Sequence, residues 1–276
     1  MSDEPKTEIP EQQLRDTLEG LEPTRRQRIL RKVVMAALGS VPWVGGLLAA
    51  TQAFREETGQ LQTDLLQRQW LDEHRRKMKL LAQDITEILL RLESLGAEIE
   101  SRLESEEYLD LVRKAFRAWD EADTQQKREH IKKLISNAGG MSMCPDDLVR
   151  LFLNWITSYD DAHFLVIKHI YRNPGATRYE IWEAIRGVFP REDSAEADLF
   201  RLLIGDLSLG RVIRQHRGVN YQGQFLARPT RTRAKSSGVL KSAFDDQEEY
   251  ELTELGSQFV HYVFTDLVTR IDEQHG

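Results

Sequence analysis

Cysteine is nearly absent from this chain of 276 residues, and Cys144 stands alone. No internal disulfide can close, and no cysteine-based zinc site can be built. Proline is scarce as well, at 8 residues, and none falls between Val44 and Met143. That stretch meets no obstacle to helix. A basic excess is also missing, with 38 Lys plus Arg against 45 Asp plus Glu and a net charge of -7. A chain acidic as a whole is not a general coater of nucleic acid, although one local basic patch stays open. The opening MSDEPKTE is acidic where a secretory signal peptide starts basic, so none is expected. The sequence holds no phosphate-cradling glycine loop, no metal-ligand run and no nucleophile elbow. The expectation is a non-enzyme without cofactor or metal.

What is present is mainly helical, and it reads as five segments. Residues 1–32 are a polar lead that turns basic at Arg25, Arg26, Arg28, Arg31 and Lys32. Residues 33–55 begin with VVMAALGSVPWVGGLLAATQAF, 22 residues without a charge. The length suits a bilayer core, but Gly39, Pro42, Gly45 and Gly46 interrupt any single helix. Two short helices, Val33–Leu38 and Leu47–Phe54, joined by a GSVPWVGG turn, are expected. Trp43 lies in that turn and suits a lipid–water interface.

Residues 56–104 read as one long coiled-coil helix of about 73 Å at 1.5 Å per residue. Its heptad seam runs through Met78, Leu81, Ile85, Ile88, Leu92, Leu95 and Ile99, with spacings that alternate between three and four. Such a seam needs a partner from its own chain or from another copy, and a homo-oligomer is expected.

Residues 105–159 form a helical core, with helices expected at Glu106–Glu121, Thr124–Asn137 and Asp146–Tyr159. Asp123 with Gln126 suggests a capping box. Residues 160–276 have the order of a winged helix-turn-helix: helices at Asp161–Arg172, Arg178–Arg186 and Ser194–Ser208, strands at Arg211–Gln215 and Tyr250–Thr253, and a closing helix at Leu255–Ile271. Trp119, Phe116, Ile131, Leu134, Phe152, Trp155, Ile156, Phe164, Ile167 and Tyr171 are the expected core.

The strands flank a basic loop. Eight bases and no acid lie from Arg211 to Lys241, among them Arg228, Arg231, Arg233 and Lys235. This loop can contact phosphates. The helix that would enter a DNA groove, SAEADLFRLLIGDLSLG, is acidic, so a protein-binding or merely solvated wing competes with the DNA reading. His163 and His169 are six apart and share no helix face, so they make no metal pair. Asp160, beside Asp161 and His163, is placed to cap the helix that follows.

The run ALGSVPWVGGLLAA, the heptad helix, SEEYLDLVRKAFRAWDEADTQQKREHIKKLISNA, DDAHFLVIKHIY and the closing YELTELGSQFV together resemble bacterial proteins of the Abi-alpha (abortive infection alpha) type. The resemblance spans residues 36 to 265 and rests on structural motifs, with no catalytic residue to carry over. It implies a role in antiphage defence.

The resulting expectation is a non-enzymatic oligomeric effector that resides in the cytoplasm. It senses a phage component, then enters and permeabilises the inner membrane. Gly39, Pro42, Trp43, Gly45 and Gly46 would insert, and Arg25, Arg26, Arg28, Arg31 and Lys32 would meet lipid head groups. A DNA-binding regulator and a soluble coiled-coil adaptor are the alternatives.

Overall fold

The computed structural model describes residues 25–56, 65–140, 144–216, 220–222 and 242–264. Among the described residues, eleven α-helices and one small sheet make the fold mainly α, as expected. The chain divides into two units, with the boundary between Thr157 and Ser158. Among the described residues, the first four segments read from sequence fall in one unit as far as Thr157, and Ser158 and Tyr159 belong to the other.

That unit contains α1 (Arg25–Ser40), α2 (Pro42–Glu56), α3 (Leu65–Ser94), a 3-10 turn at Ala97–Ile99, α4 (Glu100–Glu104), α5 (Glu106–Glu121), α6 (Gln125–Gly140) and α7 (Asp146–Ser158). The eight-residue turn expected in the apolar segment shrinks to Val41 alone, and the helices on either side are longer than predicted. Pro42 explains both ends. It disfavours helical backbone in the residue before it, and its fixed φ suits the first position of the next helix. The chain bends by 90° there.

α1 lies on α5, and it buries Ile29, Leu30, Val33, Val34 and Ala37. Val41, Val44 and Leu47 continue the buried face around the bend.

The expected single helix over 56–104 is broken. α3 stops at Ser94, and Gly96 follows with a φ of 78°, a left-handed conformation that favours glycine. The heptad seam is also used differently from the expectation. Met78, Leu81, Ile85, Ile88 and Leu92 are buried within the single chain, while Leu95 and Ile99 are half-buried. α3 packs on α6, whose Ile131, Leu134, Ile135 and Ala138 are buried in turn. Covering the seam therefore needs no second copy.

A buried charge cluster accompanies the seam. Lys132 of α6 reaches Asp84 at 3.2 Å and Glu87 at 2.6 Å on α3, and Glu129 at 2.6 Å on its own helix. The second oxygen of Asp84 accepts the indole N–H of Trp119, on α5, at 2.7 Å. Burial opposes protonation of Lys132, but its carboxylate partners outweigh it and raise the ammonium's pKa.

α6 is capped by Thr124, whose hydroxyl accepts from the Lys127 N–H at 3.2 Å; Asp123 instead pairs with the Lys127 ammonium at 3.1 Å. Near its end Gly139 touches α3 and α5. A Cβ there would sit 2.6 Å from a Leu92 methyl and 2.9 Å from the Tyr108 hydroxyl.

The second unit contains α8 (Asp161–Arg172), β1 (Ala176–Thr177), α9 (Arg178–Arg186), α10 (Ala195–Leu209), β2 (Ile213–Gln215), β3 (Glu249–Leu252) and α11 (Glu254–Val263). The strands form an antiparallel sheet in the order β1-β3-β2, with Ala176 opposite Tyr250 and Arg214 opposite Glu251. β2 begins later than expected because Arg211 takes a φ of 58°, outside the extended range. The predicted reach of the last helix to Ile271 lies partly outside the described residues. Three hydroxyl caps start helices here: Thr177 for α9, Ser194 for α10 and Thr253 for α11. Every residue of the expected core is buried except Tyr171, which is exposed.

Candidate functional site

The α1–α2 elbow has two unlike faces. Its inner face is core. Its outer face presents Arg28, Arg31 and Met35 along α1 at spacings of three and four, then Gly39 at the bend. Pro42, Gly45, Gly46, Leu48 and Ala49 continue the exposed surface on α2. No charge lies between Val33 and Phe54, so the outer face is apolar past Lys32. Met35 is 58% exposed and Leu48 43% exposed.

The glycines have no packing reason in this arrangement. A Cβ on Gly39, Gly45 or Gly46 would meet nothing within 4 Å. Each nevertheless costs its helix about 1 kcal/mol relative to alanine.

The five expected head-group bases separate into two groups. Three have protein partners. Arg25 lies 3.5 Å and Lys32 3.0 Å from Glu104 on α4. Hydrogen bonding from Lys32 holds the Glu104 carboxyl below its usual pKa. Arg26 donates to the Leu92 carbonyl at 3.2 Å and the Glu93 carbonyl at 2.5 Å, so it caps the C-terminal end of α3. Arg28 and Arg31 are exposed and have no ion pair or hydrogen bond among the described residues.

Trp43 is partly buried and is not free to lie on a surface. Its indole N–H donates to Asp120 at 2.7 Å, and its ring stands edge-on to His74 with centroids 5.3 Å apart. His74 also stacks on Trp70, with ring centroids 4.1 Å apart.

No single described helix is long and apolar enough to cross a membrane; only the bent pair Arg25–Ser40 with Pro42–Ala49 has the length and composition jointly.

The basic loop divides differently. Arg217, Arg228, Arg231, Arg233, Lys235 and Lys241 lie outside the described residues. Arg214 on β2 and His216 just after it face an acid across the sheet. Glu251 accepts from Arg214 at 2.6 Å and lies 2.7 Å from the His216 ring. That hydrogen bond raises the His216 pKa; burial opposes ionisation of Glu251, but its two cationic neighbours hold its pKa down.

His163 is buried. Its Nδ1 accepts the Asp160 backbone N–H at 3.1 Å, and its ring stacks on Tyr159 at 4.8 Å. Its Nε2 is 3.5 Å from Asp206 on α10 and makes no hydrogen bond. Burial, with the Asp206 charge nearby, pushes the Tyr159 hydroxyl up to about 12. This group ties the start of α8 to α10.

A pocket of about 220 Å³ is lined by Ala118, Ala122, Ile131 and Ile156, with Lys127 already paired to Asp123. It is smaller than the usual small-molecule site. Among the described residues no group of three or more His, Cys, Asp or Glu could hold a metal.

Sequence reading missed Asp120 and Glu104, the partners that engage Trp43, Arg25 and Lys32. It also missed Leu199, Leu202 and Leu209, which are exposed on α10. Their helix is apolar on several faces, so spacing did not separate inner from outer leucines. Compared with known proteins, the chain matches no family model, no curated protein and no solved structure.

Proposed function

We propose that this chain is a non-enzymatic effector that docks on an anionic membrane surface through the outer face of the α1–α2 elbow. The observation that carries the reading is the pairing of an uncharged exposed surface with two arginines that have no ion pair among the described residues. Met35 and Leu48 enter the acyl boundary, while Arg28 and Arg31 meet phosphate head groups. Each cation near such a surface contributes about 1 kcal/mol. Docking of this kind leaves the inner face of the elbow packed on α5.

Permeabilisation is a second step and a costlier one. It takes Ile29, Leu30, Val33 and Val34 out of the protein core and puts them into lipid. The resemblance to Abi-alpha proteins implies antiphage defence as the setting, and a phage component is the proposed trigger.

We read the second unit as a winged helix-turn-helix. Its order of helix, strand, two helices and two strands, with sheet order β1-β3-β2, supports that reading.

The test is co-sedimentation with vesicles of phosphatidylglycerol or of phosphatidylcholine alone, alongside release of an entrapped dye. The wild-type protein binds the anionic vesicles, and Arg28→Glu with Arg31→Glu releases it. Met35→Glu does the same at unchanged helicity. Equal binding to both vesicle types, or no loss in the variants, overturns the proposal.

A further inference from the structure

α10 carries a second exposed apolar face. Its inner face is buried through Phe200, Ile204 and Leu207 and completes the core of its unit. Leu199, Leu202 and Leu209 fall on the opposite side, within an arc of about 80° at 100° per residue. They are 41%, 56% and 84% exposed. These leucines add nothing to their own core and keep apolar area in water.

The charge around them is negative. Asp198 and Asp206 share the outer face, and Glu196 is exposed in the first turn. Arg201 offsets only one of these charges, because its single guanidinium is shared between Asp198 at 2.8 Å and Glu192 at 2.5 Å. In a winged helix this element would approach DNA. Here its acids would face phosphates and be repelled.

We infer that the outer face of α10 is a docking site for a basic amphipathic helix of a partner protein. A straight ridge of three leucines, about 15 Å from first to last at 1.5 Å per residue, fits the groove between side-chain rows of another helix. Charge complementarity sets the partner's flanks, with Lys or Arg beside its apolar stripe opposite Asp198 and Asp206. The inference is independent of the membrane proposal, since it uses other residues in the other unit.

The experiment is fluorescence anisotropy with the full chain and two labelled synthetic helical peptides. Both carry leucines at spacings of three and seven, one flanked by lysine and the other by glutamate. The lysine peptide binds, and the glutamate peptide binds at least about tenfold more weakly. Leu202→Ser with Leu209→Ser, or Asp198→Lys, weakens the lysine peptide by about tenfold or more. The leucine variant keeps the wild-type melting temperature and vesicle binding. Equal affinity for the two peptides overturns the inference, as does retained binding in the variants. Displacement of the lysine peptide by duplex DNA points to nucleic acid as occupant and also overturns it. So does a wild-type homo-oligomer that Leu202→Ser with Leu209→Ser disperses, because the face then belongs to a second copy.

Discussion

Trp43 and Asp120 join the elbow to the helical core through a single hydrogen bond, indole N–H to carboxylate, at 2.7 Å. The bond fixes a residue whose sequence context suggests an interfacial anchor. Trp43→Phe keeps most of the ring's packing and deletes the donor. It should lower unfolding stability by about 1 kcal/mol and speed amide exchange in α2. Urea denaturation and hydrogen exchange measure the two effects, and an unchanged exchange rate in α2 would show that this bond does not hold the elbow.

Lys132 is nearly fully buried among three carboxylates, and Asp84 beside it is buried too. Lys132→Met leaves Asp84 without its cation and should cost about 3–5 kcal/mol. Asp84→Asn keeps an acceptor for Trp119 and should cost less. Combining the two should be less than additive, since the Met variant no longer leaves a buried anion. A double-mutant cycle by urea unfolding gives the coupling, and strict additivity would contradict the cluster described here.

Two glycine substitutions should act in opposite directions. Gly139→Ala drives a methyl into Leu92 and the Tyr108 hydroxyl, and overpacking of this kind costs about 1–3 kcal/mol. Gly45→Ala meets open space inside a helix and should stabilise by about 1 kcal/mol. Melting temperatures separate the cases. Destabilisation by Gly45→Ala would mean that something occupies the space beside it.

The pair formed by His216 and Glu251 makes a pH prediction. The folded His216 pKa lies above its ordinary 6.5, with Glu251 and Glu249 raising it and Arg214 opposing them. Its contribution is therefore complete below pH 6.5 and fades as the pH rises through the folded value. Glu251 is shifted down from 4.5, so its contribution is present above that pH and fades as the pH falls through the folded value. His216→Gln should flatten the alkaline loss and also soften the acid limb, since Glu251 then keeps Arg214 as its cation. Unfolding measured from about pH 3 to pH 9 covers both limbs. An identical alkaline slope in the variant would remove His216 from the account.

Much of the helical architecture is legible in the sequence. Glu106–Glu121, Asp161–Arg172 and Arg178–Arg186 run between the same residues in expectation and structure, because caps and apolar spacing agree there. The elbow was harder. Four residues that commonly break helices suggested a long turn, yet Pro42 starts a helix and the glycines sit inside helices. Local propensity gave way to the apolar face that continues through Val41 and Val44. The seam's spacing was visible, but its partner was not. A heptad says that an edge will be covered and leaves open whether α6 or another molecule covers it. Lys132 and Asp84 escaped notice for a related reason, since 48 residues of chain separate two groups that meet only after folding.

The two-sided elbow also has a consequence for turnover. Were α1 to leave α5 for lipid, the surface it covers would be laid bare to water. The remaining domain would then be a substrate for proteases and prone to clump, with little chance of returning to its starting state. Under the proposed membrane role, each molecule would act once, and a cell would have to replace each spent copy by new synthesis.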